Sequence, residues 1–123
     1  MNVFKDQEKF MVAGDQTVSE LNQKQYDMYV NLINEEFTEL KDAITADDKV
    51  EQLDALIDIL VVTIGAIHSM GANGEKAWNE VMRTNFEKID PLTNKVRKRD
   101  DGKILKPEGW KPPYLAPYLT KAK

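Results

Sequence analysis

The chain has 123 residues, 41% of them hydrophobic and 31% charged, and a formal net charge of −4. This length suits one domain spanning residues 1–123, and the composition excludes a disordered chain in favour of a soluble, helix-rich one. There is no cysteine and one histidine, His68; disulfides and thiolate chemistry are excluded, and any metal site falls to oxygen ligands, favouring Mg²⁺ or Mn²⁺ over Zn²⁺. The acidic balance argues against nucleic acid as a partner. The opening residues MNVFKDQEKF lack the apolar run of a signal peptide, and residues 53–67 are too short and too acidic to span a membrane. A cytoplasmic protein is expected.

In chain order, Val3–Ala13 reads as a short amphipathic helix with Phe4, Phe10 and Met11 as apolar contacts and Gly14 as its stop. Thr17-Val-Ser-Glu20 has capping-box spacing and is expected to open a second helix running to about Ile44. Its main stripe is Tyr26, Tyr29, Val30, Ile33, Phe37, Leu40 and Ile44. A second stripe, Leu21, Met28 and Leu32, extends into Glu35, Glu36 and Glu39, so this helix is expected to pack on two sides. Thr45-Ala-Asp-Asp48 is a short connection with capping residues, which predicts an antiparallel hairpin with the next helix.

That third helix, Glu51-Gln-Leu-Asp-Ala-Leu-Ile-Asp58 and onward to Met70, is apolar on nearly every side from Leu53 to Ile67, which predicts burial all round. Yet Glu51, Asp54 and Asp58 project from one narrow face within it. Acids gathered in apolar surroundings either shift their pKa values upward or hold a cation. The hairpin sets them opposite Glu35, Glu36 and Glu39, which by themselves are as well read as solvated helix acids. His68, one turn before the Gly71 stop, reads as a core or helix-end histidine. A fourth helix is expected over about residues 75–88, its stripe being Ala77, Trp78, Val81, Met82 and Phe86. Residues 91–123, with five prolines, read as an ordered, mostly irregular tail.

Two further groups carry charge. Arg83, Asn85 and Lys88 end the fourth helix, where cations complement the helix dipole or neutralise phosphate oxygens. Lys95 to Arg99, with Lys103, Lys106, Trp110 and Tyr114, fits a solvated surface, a single-strand binding patch, or a flap stacking on a nucleotide base. There is no Glu-x-x-His pair for a di-iron bundle and no glycine loop of the Walker type.

Taken together, Glu35-Glu36-x-x-Glu39, then Glu51-Gln-Leu-Asp54-Ala-Leu-Ile-Asp58-Ile-Leu-Val-Val-x-x-Gly65, then Arg83-Thr-Asn85-Phe-Glu-Lys88 and Gly102-Lys103-Ile-Leu-Lys106-Pro-x-Gly-Trp110-x-Pro-Pro113 resemble the all-α nucleoside triphosphate pyrophosphohydrolases, the MazG-like and phosphoribosyl-ATP pyrophosphohydrolase-like proteins. The resemblance implies an all-α bundle of about four helices, core over about residues 18–88, completed as a homodimer or dimer-of-dimers tetramer. It implies Mg²⁺, with Mn²⁺ able to substitute, held by Glu36, Glu39 and Asp58 together with Glu35 or Asp54. The reaction implied is cleavage of a nucleoside triphosphate between its α and β phosphates, with Arg83, Asn85, Lys88, Lys103 and Lys106 on the phosphate side. Glu35 is the preferred group to orient the attacking water. One departure stands out. The apolar frame aligns Asp58 with the family aspartate, which puts Ala55 where a glutamate is expected and Asp54 one residue earlier. Phosphoribosyl-ATP hydrolysis at the same site and a non-catalytic nucleotide-binding helical module are the alternatives.

Overall fold

The computed structural model describes residues 1–119. Its elements are α1 (Val3–Ala13), α2 (Gln23–Thr45), α3 (Lys49–Ser69), α4 (Gly74–Phe86), the strands β1 (Ile89–Asp90) and β2 (Lys95–Val96), and a 3-10 turn at Ala116–Tyr118. The architecture is all-α, the only sheet among the described residues being the two-residue pairing of β1 with β2. Backbone contacts divide the chain into two compact units, Met1–Gly74 with Leu119, and Glu75–Tyr118. No helix among the described residues is long and apolar enough to cross a membrane.

In the first unit α2 and α3 form the expected hairpin. Asp48 caps α3, its side chain accepting from the Glu51 amide at 3.1 Å, which satisfies one of the amides a helix start leaves unpaired. The start of α2 differs from expectation. Asn22, not Thr17, is its cap and accepts from the Gln25 amide at 3.1 Å. The Thr17 hydroxyl instead accepts from the Asn22 amide group at 3.1 Å, and the Thr17 backbone N–H donates to Gln25 Oε1 at 3.0 Å. Asn22 wins because it stands directly before the first helical turn, whereas Thr17 is drawn into a strap that ties this segment to the end of α3. The strap is completed by Asn22 N–H to Ser69 O at 2.8 Å, a bridge between Leu21 and Met70, and Gln25 Nε2 donating to Thr17 O and Ser69 Oγ at 2.8 Å each. Gly71 makes the exit from α3 with φ +76°, and a Cβ there would lie 2.9 Å from the Glu20 carbonyl carbon, so the turn needs glycine twice over.

The core gathers Met11, Tyr29 and Ala66, with Val18, Tyr26, Leu32, Ile33 and Val62 packed on it. The Tyr29 ring lies on bare backbone at Gly65, where a Cβ would come within 2.3 Å of Cε1, and its hydroxyl donates to Gln16 Oε1. His68 is buried, with Nε2 2.8 Å from Phe4 O and its ring edge-on to Phe4; it is the core histidine the sequence suggested.

The expectation that α3 is buried all round is not met within one chain. Ala55 and the run Ile64, Gly65, Ala66, His68 and Ser69 are buried, but Val50, Leu53, Leu56, Ile57, Leu60 and Val61 are between 37% and 77% exposed. α2 and α1 pack on α3, and among the described residues these side chains remain open to solvent.

In the second unit β1 and β2 pair antiparallel, Ile89 opposite Val96 and Asp90 opposite Lys95, and a bridge joins Lys98 to Ile104. The tail is otherwise irregular, as its prolines suggested. Trp110 anchors it by donating from Nε1 to the carbonyl of the buried Thr84 at 2.7 Å.

Because Tyr29 is fixed by both packing and its hydroxyl, Gly65→Ala is expected to overpack the α2–α3 seam and cost about 1–3 kcal/mol. A thermal melt in which this variant matched the parent would contradict that packing.

Candidate functional site

The apolar seam that joins α2 to α3 carries acids along one edge. Glu36 and Glu39 on α2 and Asp54 and Asp58 on α3 act on one another across it. Burial pushes the Glu36 carboxyl up to about 7, helped by a hydrogen bond with Glu39 and by the charges of Glu39, Asp58 and Asp54. Burial likewise raises Asp58, with Asp54 and Glu39 adding to it. Glu36 Oε2 is buried and has no hydrogen-bond partner. A buried acceptor left unpaired costs free energy, and Glu36 with the three carboxylates beside it forms the donor set that hard divalent cations take. On that chemistry Glu36, Glu39, Asp54 and Asp58 fit a metal ion. Among the described residues no three such groups converge on one point as placed; Glu39 and Asp54 are exposed.

The other acids divide. Glu35 is exposed one position before Glu36 and does not act on the cluster as a shifting charge. Glu51 lies with Glu39, Asp42, Asp48 and Asp54 around an acidic recess of about 480 Å³ whose floor includes Ala43 and Ala55. Ala55 is buried there, 3% exposed, so the departure from the family pattern leaves a methyl group where a carboxylate is expected, and Asp54 supplies the charge from the adjacent position.

The residues assigned to the phosphate side lie in the second unit, and most are engaged. Arg83 Nε donates to Glu80 at 2.8 Å and its Nη1 to Glu87. Arg83 and the Tyr114 amide together hold the Glu80 carboxyl down at about 2. Lys88 donates to Asn85 Oδ1 at 3.1 Å, and Lys88 and Lys106 both stand 4.9 Å from the Trp110 ring centroid. Two ammonium groups on one indole are attracted to its π face yet repel each other. Lys103 is exposed, and among the described residues its ammonium makes no hydrogen bond or ion pair.

Sequence reasoning overlooked a second recess of the first unit, about 680 Å³, which Gln16, Asn31 and Glu35 help to line. Carboxamides carry neither charge nor hydrophobic period, so only their position inside a two-sided helix hinted at it.

The sign of the pH dependence follows from Glu36. Its folded pKa of about 7 lies above its ordinary value of 4.5, so its contribution is fully present below pH 4.5 and is lost as pH rises through 7; the raised Asp58 acts in the same direction. The metal-free protein is expected to lose thermal stability between those values, and Glu36→Gln to flatten the loss. A melting temperature indifferent to pH in that window would show that the four acids are not held together.

The family model described as phosphoribosyl-ATP pyrophosphohydrolase matches residues 7–85, the stretch that contains α2, α3 and every residue of the acidic cluster. No curated protein matches the chain.

Proposed function

The chain belongs to the phosphoribosyl-ATP pyrophosphohydrolase family, within the all-α nucleoside triphosphate pyrophosphohydrolases, and on that premise we propose that it releases pyrophosphate from a nucleoside triphosphate in a Mg²⁺-dependent reaction. As a member it is a hydrolase of phosphoric anhydride bonds. The observation that carries the finer reading is Glu36 Oε2, buried without a partner among three further carboxylates.

Glu36, Glu39, Asp54 and Asp58 are the proposed ligands. A bound divalent cation would neutralise the triphosphate and make a water nucleophilic near neutral pH. Glu35, exposed beside the cluster, would accept that water's proton and aim it at the α-phosphorus, breaking the α–β anhydride bond and leaving a nucleoside monophosphate and pyrophosphate. Arg83, Asn85, Lys88, Lys103 and Lys106 are proposed for the phosphate side by family likeness, the Lys103 ammonium making no hydrogen bond or ion pair among the described residues. Phosphoribosyl-ATP is the second reading, favoured by the description of the matching family itself; it carries the same triphosphate group. Mn²⁺ would serve in place of Mg²⁺, and cytoplasmic location remains part of the proposal.

A second copy of the chain is the proposed cover for the exposed face of α3. Six large apolar side chains along one helix, with Leu53 at 62% and Leu60 at 58% exposed, exceed the scattered exposure normal for a monomer.

Pyrophosphate release from ribo- and deoxyribonucleoside triphosphates and phosphoribosyl-ATP, with and without Mg²⁺, tests the reaction. Turnover is expected to need the metal and to vanish in a folded Asp58→Asn variant; normal turnover in that variant would refute the assignment. Mg²⁺ is also expected to raise the melting temperature by mass action, about 2.7 kcal/mol at a hundredfold excess over its Kd. For the assembly, sedimentation velocity is expected to give a dimer or tetramer that Leu53→Lys weakens, and a stable parent monomer would remove the dimer.

A further inference from the structure

The larger recess of the first unit has not been given a role. It is an open groove of about 680 Å³ along α2 from Glu35 back to Gln16 in the strap, past Leu32, Asn31 and Met28, with Lys24 and Asp27 also on its rim. That volume lies within the range of small-molecule sites. One end is therefore the residue adjoining the acidic cluster, and the other extends away from the acids toward the start of α2. Asn31 stands one turn before Glu35, about 6 Å along the helix axis.

The polar groups along the recess are unequally occupied. Asn22 caps α2 and donates to Thr17, and Gln25 is spent on Thr17 and Ser69. Gln16 accepts from Tyr29, which leaves its amide N–H groups to donate. Asn31 lines the recess and is exposed, and its carboxamide makes no hydrogen bond among the described residues, so both its donor and its acceptor are available. Beside it Met28 is 41% exposed and Leu32 half-buried, offering a polarisable thioether and an aliphatic wall to a flat ring. A side chain with adjacent donor and acceptor matches the hydrogen-bonding edge of a nucleobase.

We infer that this recess is the nucleobase site of the enzyme, with Asn31 as the residue that determines base preference and Met28 and Leu32 as the surface on which the base lies. The inference rests on the pyrophosphohydrolase reading only for the direction in which the nucleotide lies, triphosphate at the acids and base toward Gln16. A site built around an unspent carboxamide discriminates by leaving that group unpaired against the wrong base.

The test has two arms that fail separately. In the first, free nucleosides, which carry no phosphate, are titrated into the metal-free wild-type protein while the Asn31 side-chain amide and the Met28 methyl are followed by NMR. At least one nucleoside is expected to shift both signals; a panel that moves neither overturns the inference even if the enzyme turns over. In the second, kcat/KM for pyrophosphate release is measured across the nucleoside triphosphates for Asn31→Leu and Asn31→Asp. Asn31→Leu is expected to narrow the spread between best and worst base by about tenfold or more, with inhibition by inorganic tripolyphosphate unchanged. Asn31→Asp, which keeps the size and loses the donor, is expected to reorder the bases toward those that present an amino group. An unchanged ranking in both variants overturns the inference. A wild type that releases no pyrophosphate while nucleosides still shift Asn31 would sink the reaction and leave the base site standing.

Discussion

Holding α3 against α2 forces like charges together, and the hairpin survives because apolar packing at its far end outweighs that repulsion. Tyr29 on the bare backbone of Gly65, with Met11 and Ala66 around it, fixes the separation of the two helices. At the other end burial raises Glu36 and Asp58, with Glu39, Asp54 and Asp58 adding to the shift of Glu36 and Asp54 and Glu39 to that of Asp58. A sequence selected for stability alone would place neutral residues at Glu36 and Asp58, since even partly burying an ionised group without a partner is costly. The conflict between local stability and the retained acids marks the seam as a place shaped by chemistry.

The second unit shows the opposite use of charge. Arg83 is bracketed by Glu80 and Glu87, Glu80 also receives the Tyr114 amide, and Lys88 and Lys106 lie on Trp110. Much of its basic character is spent on ordering a proline-rich segment that has little backbone pairing of its own. A phosphate drawing on Arg83 or Lys88 would have to compete with these contacts, whereas among the described residues the Lys103 ammonium has none to give up.

How much could be read from the sequence depended on how local the governing physics was. The bounds of α1, the Asp48 cap and the Gly71 turn were legible because each is decided within a few residues. Asp54 and Asp58 stood out because carboxylates in an apolar run contradict the simplest rule of burial, whereas Glu36 and Glu39 gained weight only from standing across the hairpin from them. The start of α2 was misplaced because Thr17 and Asn22 are both good caps, and the choice rests on Ser69 and Gln25, distant in sequence or fold. The exposure of Leu53, Ile57 and Leu60 was misjudged for a related reason: an all-round apolar helix declares that it is to be covered, not by which chain. The carboxamides of the recess gave no signal, since an asparagine on a helix is unremarkable until its neighbours' hydrogen bonds are known.

The strap has a consequence for the order in which the chain folds. α2 and α3 are joined by three residues, so their contacts close early, whereas Asn22 and Gln25 find Ser69 only after α3 exists. Gln16 is a wall of the 680 Å³ recess and the hydrogen-bond partner of Tyr29. The acidic edge is thus assembled with the hairpin, and the recess is completed when the N-terminal segment docks. Fluctuations that release that segment would open the recess while leaving the carboxylates in place, giving the first unit a part that breathes and a part that does not.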